Sequence, residues 1–257
     1  MSSLILSDLQ QGILTLTFNR PDKKHALTHA MYSELEQALA QAESQPEIRV
    51  VVVMGSQGVF TAGNDMGEFL NNPPQNLDSP VFRFLDRLSN MSKPVIMAVS
   101  GLAIGIGTTM LLHADIVYCD ATAKFQLPFA RLGLCPEAAS SVLLPRLAGF
   151  QRASEILLTG QVFDAAKAQN IGLVCAVLED ESALREHARR QALAIAVQPA
   201  PAIRLTKQLL KKADKTLIAE TLRHEGELFL ARLHSPEAKE ALEAFREKRQ
   251  PDFSRFH

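Results

Sequence analysis

Residues Lys93–Gly149 read KPVIMAVSGLAIGIGTTMLLHADIVYCDATAKFQLPFARLGLCPEAASSVLLPRLAG, and this stretch decides the fold. Pro94–Val99 is a short run of β-formers, Gly107–His113 opens a helix after a glycine-rich turn, and Asp115–Cys119 reads as a second buried strand. Val95–His113 is as long as a membrane helix, but its glycines, its two threonines and the proline before it favour strand, loop and helix instead. Upstream, Gly12–Phe18 alternates like a strand and ends at Asn19-Arg20-Pro21. Thr28–Ser44 carries Met31, Leu35 and Leu39 at helical spacing behind Thr28 as cap, and Arg49–Met54 is a fully buried strand. Gln57–Met66 is a glycine-containing loop, Asn71–Pro80 a mobile Pro/Asn-rich loop, and Val81–Ser92 a helix. This alternation predicts βαβ units around a largely parallel sheet. From Glu181 onward strands stop: Ala183–Val197, Ala202–Ala213, Thr216–Leu233 and Pro236–Lys248 all read as helices. The chain therefore divides into an α/β part, 1–180, and a helical part, 181–257.

Bulk properties bound the partners. The 257 residues are 47% hydrophobic, enough for a large core, and the net charge is −1. With a pI near 6.7, no global field favours nucleic acid or an anionic membrane, and an anionic ligand must be held by local groups. Cys119, Cys135 and Cys175 are odd in number and show no ligand spacing, so reduced thiols, no metal site and a cytoplasmic location are expected. The first residues, MSSLILSDLQQG, lack the basic and apolar regions of a signal peptide.

Within the opening stretch one carboxylate stands out. Glu137 sits in CPEAASS with no basic residue within five positions. Burial there makes its ionisation costly and raises its pKa toward the range of a general base. A surface glutamate capping a helix after Pro136 fits the same sequence. His113 lies in a core-like run and reads as a satisfied buried group. Ser140 and Ser141 lack a hydrolase elbow, and Gly105 and Gly107 lack the residues of a nucleotide loop. Lys207, Lys211 and Lys212 recur at helical spacing, which reads first as a solvated face.

Taken in order, several segments resemble the crotonase, or enoyl-CoA hydratase/isomerase, superfamily. They are Phe18–Leu27 (FNRPDKKHAL), Phe60–Met66 (FTAGNDM), Lys93–Gly107, His113–Ile116 and Ala244–Phe253 (AFREKRQPDF), and the match spans essentially the whole chain. The resemblance implies an α/β fold with a ββα spiral core and a C-terminal helical trimerisation region, hence a homotrimer or dimer of trimers. It implies no membrane insertion and no cofactor, the coenzyme A thioester being the substrate. The oxyanion donors it implies are the backbone N–H groups of Asn64 and Ile106, after Gly63 and Gly105. Ordinary strand-to-helix turns are the alternative for each loop. The acyl-CoA-binding positions it implies are Lys24, Ala26, Ala62, Gly63, Asn64, Asp65, Met66 and Ile106, with a solvated basic turn the alternative for Lys23 and Lys24. The basic run at Lys207 is a further place for phosphate, reached from another subunit. Asp65 is expected to brace its loop rather than transfer protons.

The resemblance also selects a branch. Hydratases of the family carry two glutamates twenty positions apart, and Thr109 and Phe129 occupy those places here. The single acid of the peroxisomal-type Δ3,Δ2-enoyl-CoA isomerases falls on Glu137. The expected activity is therefore transfer of a 3-enoyl-CoA double bond to the 2-trans position, as in fatty acid oxidation. Hydration, thioester hydrolysis or C–C cleavage by the same site, or a non-catalytic acyl-CoA scaffold, remain as alternatives.

Overall fold

The computed structural model describes residues 3–256. Its strands are β1 (Ile5–Gln10), β2 (Ile13–Phe18), β3 (Val50–Met54), β4 (Val95–Val99), β5 (Leu102–Ile104), β6 (Ile116–Asp120), β7 (Lys124–Gln126), β8 (Phe163–Asp164) and β9 (Ala176–Leu178). Its helices are α1 (His29–Ser44), α2 (Met66–Asn71), α3 (Pro80–Ser89), α4 (Ile106–Thr109), α5 (Ser140–Ala148), α6 (Phe150–Thr159), α7 (Ala165–Asn170), α8 (Glu181–Ala196), α9 (Ala200–Lys211), α10 (Lys215–Leu233) and α11 (Pro236–Glu247).

Six strands form one sheet in the order β1-β2-β3-β4-β6-β9, parallel throughout except for the β1–β2 pair. The reason is visible in β3 and β4, whose residues are all buried. Val51, Val53, Val95, Met97 and Val99 face a large core shared with α1 and α3. Val50, Val52, Met54, Ile96 and Ala98 face a second core under α8, supplied by Leu184, Ala188, Ala192 and Ala196. A sheet covered on both faces needs continuous apolar strands, which is what the sequence supplies. Small residues at every fourth position of α8 let that helix lie close to the sheet. Its first turn is capped by Asp180, which accepts from the Ala183 N–H at 2.8 Å.

A smaller sheet, β5-β7-β8, stands beside the first. Its strands are two or three residues long and carry no readable period, so the sequence does not announce them. The expected helix Gly107–His113 is also corrected. Only Ile106–Thr109 is α-helical, and a 3-10 turn continues over Met110–His113.

A second correction concerns the tail. In the sequence Leu222, Phe229 and Leu233 form an apolar stripe along the helix Thr216–Leu233, which reads as a surface needing a partner subunit. Instead Phe229 and Leu233 are buried in the chain's own core, with Leu222 packed against it. Alpha11 completes that cover, starting at a Ser235 cap and seated against Gly133, where an added Cβ would lie 2.7 Å from the Ala238 nitrogen.

Candidate active site

The two glycine loops leave the same end of the sheet, after β3 and β4, and meet. Thr61 bridges Ala103 in parallel, with the Thr61 N–H donating to Leu102 O at 2.8 Å and the Ile104 N–H to Thr61 O at 3.1 Å. Glycine is required at the contact. Gly63 has φ +86°, and a Cβ there would lie 2.7 Å from Ile104 O. At Gly107 a Cβ would lie 2.5 Å from Cγ2 of Thr61. Gly105 adopts φ 56° and ψ −118°, a conformation that side chains disfavour.

This backbone leaves two N–H groups free. Among the described residues, the amides of Asn64 and Ile106 have no protein acceptor. Their neighbours Asp65 and Gly105 donate to Leu27 O and Gln126 O, each at 2.8 Å. Ile106 opens α4, so its N–H belongs to the unsatisfied first turn of a helix. Both residues line a narrow cavity of about 80 Å³ with Phe129, Phe229 and Leu242.

The Lys24–Leu27 segment is stitched to the first loop. The Ala62 N–H donates to Lys24 O at 2.9 Å, and the Leu27 N–H to Gly63 O at 2.8 Å. Thr61 Oγ1 donates to His25 O at 2.7 Å. Lys24, Ala26, Ala62, Gly63, Asn64, Asp65 and Met66 are thus gathered along one edge, with the Lys24 side chain exposed. Asp65 caps α2 by accepting from the Glu68 N–H at 3.0 Å. It also pairs with Arg20 Nη1 at 2.6 Å, and Arg20 holds Ala26 O at 2.8 Å. Burial pushes the Asp65 carboxyl upward, but the Glu68 amide and Arg20 outweigh it and leave the pKa below its ordinary value. On the far side of the loop, buried Tyr32 donates its hydroxyl to Oδ1 of Asn64 at 2.5 Å.

Glu137 is buried, only 6% exposed, so it is no surface helix cap. Thr109 Oγ1 donates to its Oε1. Burial pushes the Glu137 pKa up to about 8; the Thr109 bond opposes this and the nearby Glu225 adds to it. Thr109 stands three residues after Ile106 on α4, about 4.5 Å of helical rise. The carboxyl is therefore tied to the helix whose first N–H is free. Glu137 itself does not line the cavity. Ala138 and Ala139, which follow it, have φ of 58° and 55°, two consecutive left-handed alanines. His113 Nε2 lies 2.8 Å from Ala138 O, the satisfied buried histidine expected.

The solvated-face reading of the α9 lysines is corrected for Lys207. Its Nζ is buried between Asp115 Oδ2 and Lys93 O, each at 2.7 Å. Lys207, Lys211 and Lys212 line a separate groove beside Ser89–Ser92. That groove lies before β4, whereas the glycine loops follow β3 and β4. Sequence reasoning missed Tyr32, Arg20 as the partner of Asp65, and Glu225.

The free amides above parallel strands and the buried carboxyl tied to them define a crotonase-type α/β protein. The family model for enoyl-CoA hydratase/isomerase matches residues 8–255, and the chain belongs to that family. It is 34% identical to the 1,2-epoxyphenylacetyl-CoA isomerase of Escherichia coli (strain K12), over 99% of each chain. It is 32% identical to enoyl-CoA delta isomerase 2 of Rattus norvegicus, over 94% of this chain and 63% of that one. Relatives named as hydratases match over similar lengths. The solved structure of Pseudomonas aeruginosa OdaA superposes with a TM-score of 0.93 at 45% identity, covering 95% of this chain and 99% of that one.

Proposed function

We propose that the chain is a Δ3,Δ2-enoyl-CoA isomerase in which Glu137 carries the proton. The observation behind this reading is the buried Glu137 carboxyl, its pKa pushed up to about 8 by burial, tied through Thr109 to the helix that begins at Ile106. The positions where the resemblance places the two hydratase acids hold Thr109 and Phe129. A hydroxyl and a phenyl ring cannot activate water and protonate C2.

Isomerisation removes a proton from C2 of the 3-enoyl thioester and returns one at C4. The electron pair of the broken C2–H bond forms a C1–C2 double bond while the carbonyl π pair moves onto the thioester oxygen, giving a dienolate. Reprotonation at C4 collapses it to the 2-enoyl thioester: the oxygen pair restores the carbonyl, the C1–C2 pair becomes the new C2–C3 double bond and the C3–C4 pair takes the proton. The unpaired amides of Asn64 and Ile106 supply donors for that oxygen, and such donors are worth roughly 3–4 kcal/mol each in related sites. A base with a pKa near the working pH both accepts and returns the proton, which contributes roughly 100- to 10,000-fold. Tyr32 fixes the Asn64 side chain and Asp65 the turn after it, so the first donor is held before substrate arrives. Lys24, Ala26 and Ala62–Met66 form the edge along which coenzyme A lies.

Full-length similarity to an epoxyphenylacetyl-CoA isomerase favours a second reading, isomerisation of an epoxide-bearing acyl-CoA by the same hole and acid. The purified protein should be assayed with 3-enoyl-CoA, with 1,2-epoxyphenylacetyl-CoA and for hydration of 2-enoyl-CoA. Formation of 2-trans-enoyl-CoA with negligible 3-hydroxyacyl-CoA supports the first reading. Robust hydration overturns it.

A further inference from the structure

Among the described residues, Ser140 Oγ and Glu225 Oε2 are buried side-chain atoms without a hydrogen-bond partner. Both lie where α10 meets the start of α5, directly after Glu137. Glu225 is 5% exposed, and its Oε1 accepts from the Ser141 N–H at 3.0 Å and from the Ser141 hydroxyl. The carboxylate thus sits against the first amides of a nine-residue helix, whose partial positive charge favours an anion. Glu137 is buried to the same extent but has a different setting: one hydroxyl donor, Thr109, and among the described residues no backbone amide on its carboxyl. Among the described residues neither carboxyl forms an ion pair.

Two buried carboxyls in such unequal surroundings divide their roles: the one with more donors keeps the charge and the other keeps the proton. We propose that Glu225 is a positioning residue for Glu137, a fixed anion that clamps the turn carrying Glu137 and holds the proton on it by repulsion. This rests on the reading of Glu137 as the proton carrier. The turn needs a clamp because Ala138 and Ala139 are both left-handed, a costly arrangement unless the surroundings enforce it. The helix that supplies Glu225 also supplies Phe229 one turn later. Phe229 packs edge-on against Phe69 and Phe129, with ring centroids 6.2 and 6.4 Å away, and lines the cavity. Alpha10 therefore couples the wall of the cavity to the protonation of the carboxyl.

The other titratable groups around the pair are neutral or turned elsewhere. Burial raises the pKa of Tyr32 and of Cys135. Burial also lowers His113 to about 4, leaving it uncharged at neutral pH. Arg232 donates to Gly133 O at 2.9 Å and pairs with Glu237. The like charge facing Glu137 is Glu225. Burial raises the Glu225 pKa too, but donors from Ser141, Ala139 and Ser140 oppose that rise, where Glu137 has Thr109 alone.

The test is a direct titration of Glu137 by the infrared carbonyl stretch of its protonated carboxyl, identified as the band lost in Glu137→Gln. In Glu225→Gln, which keeps the shape and an acceptor for Ser141 but removes the charge, the midpoint should fall by about half a pH unit or more, roughly threefold in the ionisation constant. The pH midpoint of kcat should fall with it while KM changes little. Glu225→Asp, which withdraws the charge by one methylene, should shift the midpoint in the same direction by less and serves if the Gln variant does not fold. An unmoved infrared midpoint in the variant that folds overturns the proposal and leaves Glu225 a helix cap. The infrared titration needs no turnover. Absence of isomerase activity would defeat the functional reading without deciding this one.

Discussion

Thr109 donates its hydroxyl to Oε1 of Glu137, and this one bond ties the helix after the second glycine loop to the turn that bears the buried carboxyl. Thr109→Val keeps the shape and removes the donor that stabilises the ionised form. The pH midpoint of kcat should then rise, because that bond lowers the Glu137 pKa, and kcat near pH 7 should fall about tenfold. Thr109→Ser should retain most activity. Equal pH profiles for the Val variant and the parent would remove Thr109 from the site.

Glu137 should also govern how stability responds to pH. Its pKa rises from 4.5 to about 8 on folding, so the native state favours the protonated form. The corresponding stability is fully present below the unfolded value and is lost as pH climbs from 4.5 to about 8. Glu137→Gln carries no such loss. Its advantage over the parent in urea unfolding should be small at about pH 5 and on the order of a few kcal/mol at about pH 9. Parallel stability curves for the two proteins would contradict the buried, proton-holding carboxyl.

The contact between the loops can be probed without touching the chemistry of any side chain. Gly63→Ala places a Cβ 2.7 Å from Ile104 O at φ +86° and should cost roughly 1–3 kcal/mol. Gly58 has φ +72° but open space around it, so Gly58→Ala should cost less. Denaturant midpoints rank the two, and equal costs would show that the loops separate easily.

Self-association is predicted from apolar side chains that the fold leaves uncovered, not from the stripe that it buries. Phe150 is 71% and Leu158 75% exposed on α6, with Leu205, Leu209 and Leu210 exposed on α9. A homotrimer, or a dimer of trimers, is expected, and light scattering should give about three or six times the 28.2 kDa of one chain. A stable mass of one chain would exclude it.

Much of this site was legible because its parts are local. An acid among apolar residues, and glycines placed where two backbones must touch, leave their mark within a few positions. Asp65 could be read as a brace because its partner amide is three residues away. The groups that the sequence hid act across long separations. Tyr32 reaches Asn64 over 32 residues, Arg20 reaches Asp65 over 45 and Glu225 reaches Ser141 over 84. Lys207 reads as solvated because helical lysines usually are, and only Asp115 and the Lys93 carbonyl, 92 and 114 residues away, explain its burial. The stripe at Phe229 and Leu233 shows that something must cover it, but periodicity cannot say whether the cover comes from the same chain. The short strands of the second sheet are set by neighbours rather than by pattern.

The most direct measurement is the activity of Glu137→Gln on 3-enoyl-CoA, taken beside its affinity for a 2-enoyl-CoA product. The substitution keeps the size and hydrogen-bonding capacity of the side chain and removes the base. The amides of Asn64 and Ile106 and the Lys24–Met66 edge are untouched, so binding should change little while kcat falls at least about 100-fold. Retention of most of the activity by the Gln variant would contradict the assignment of Glu137 as the proton carrier.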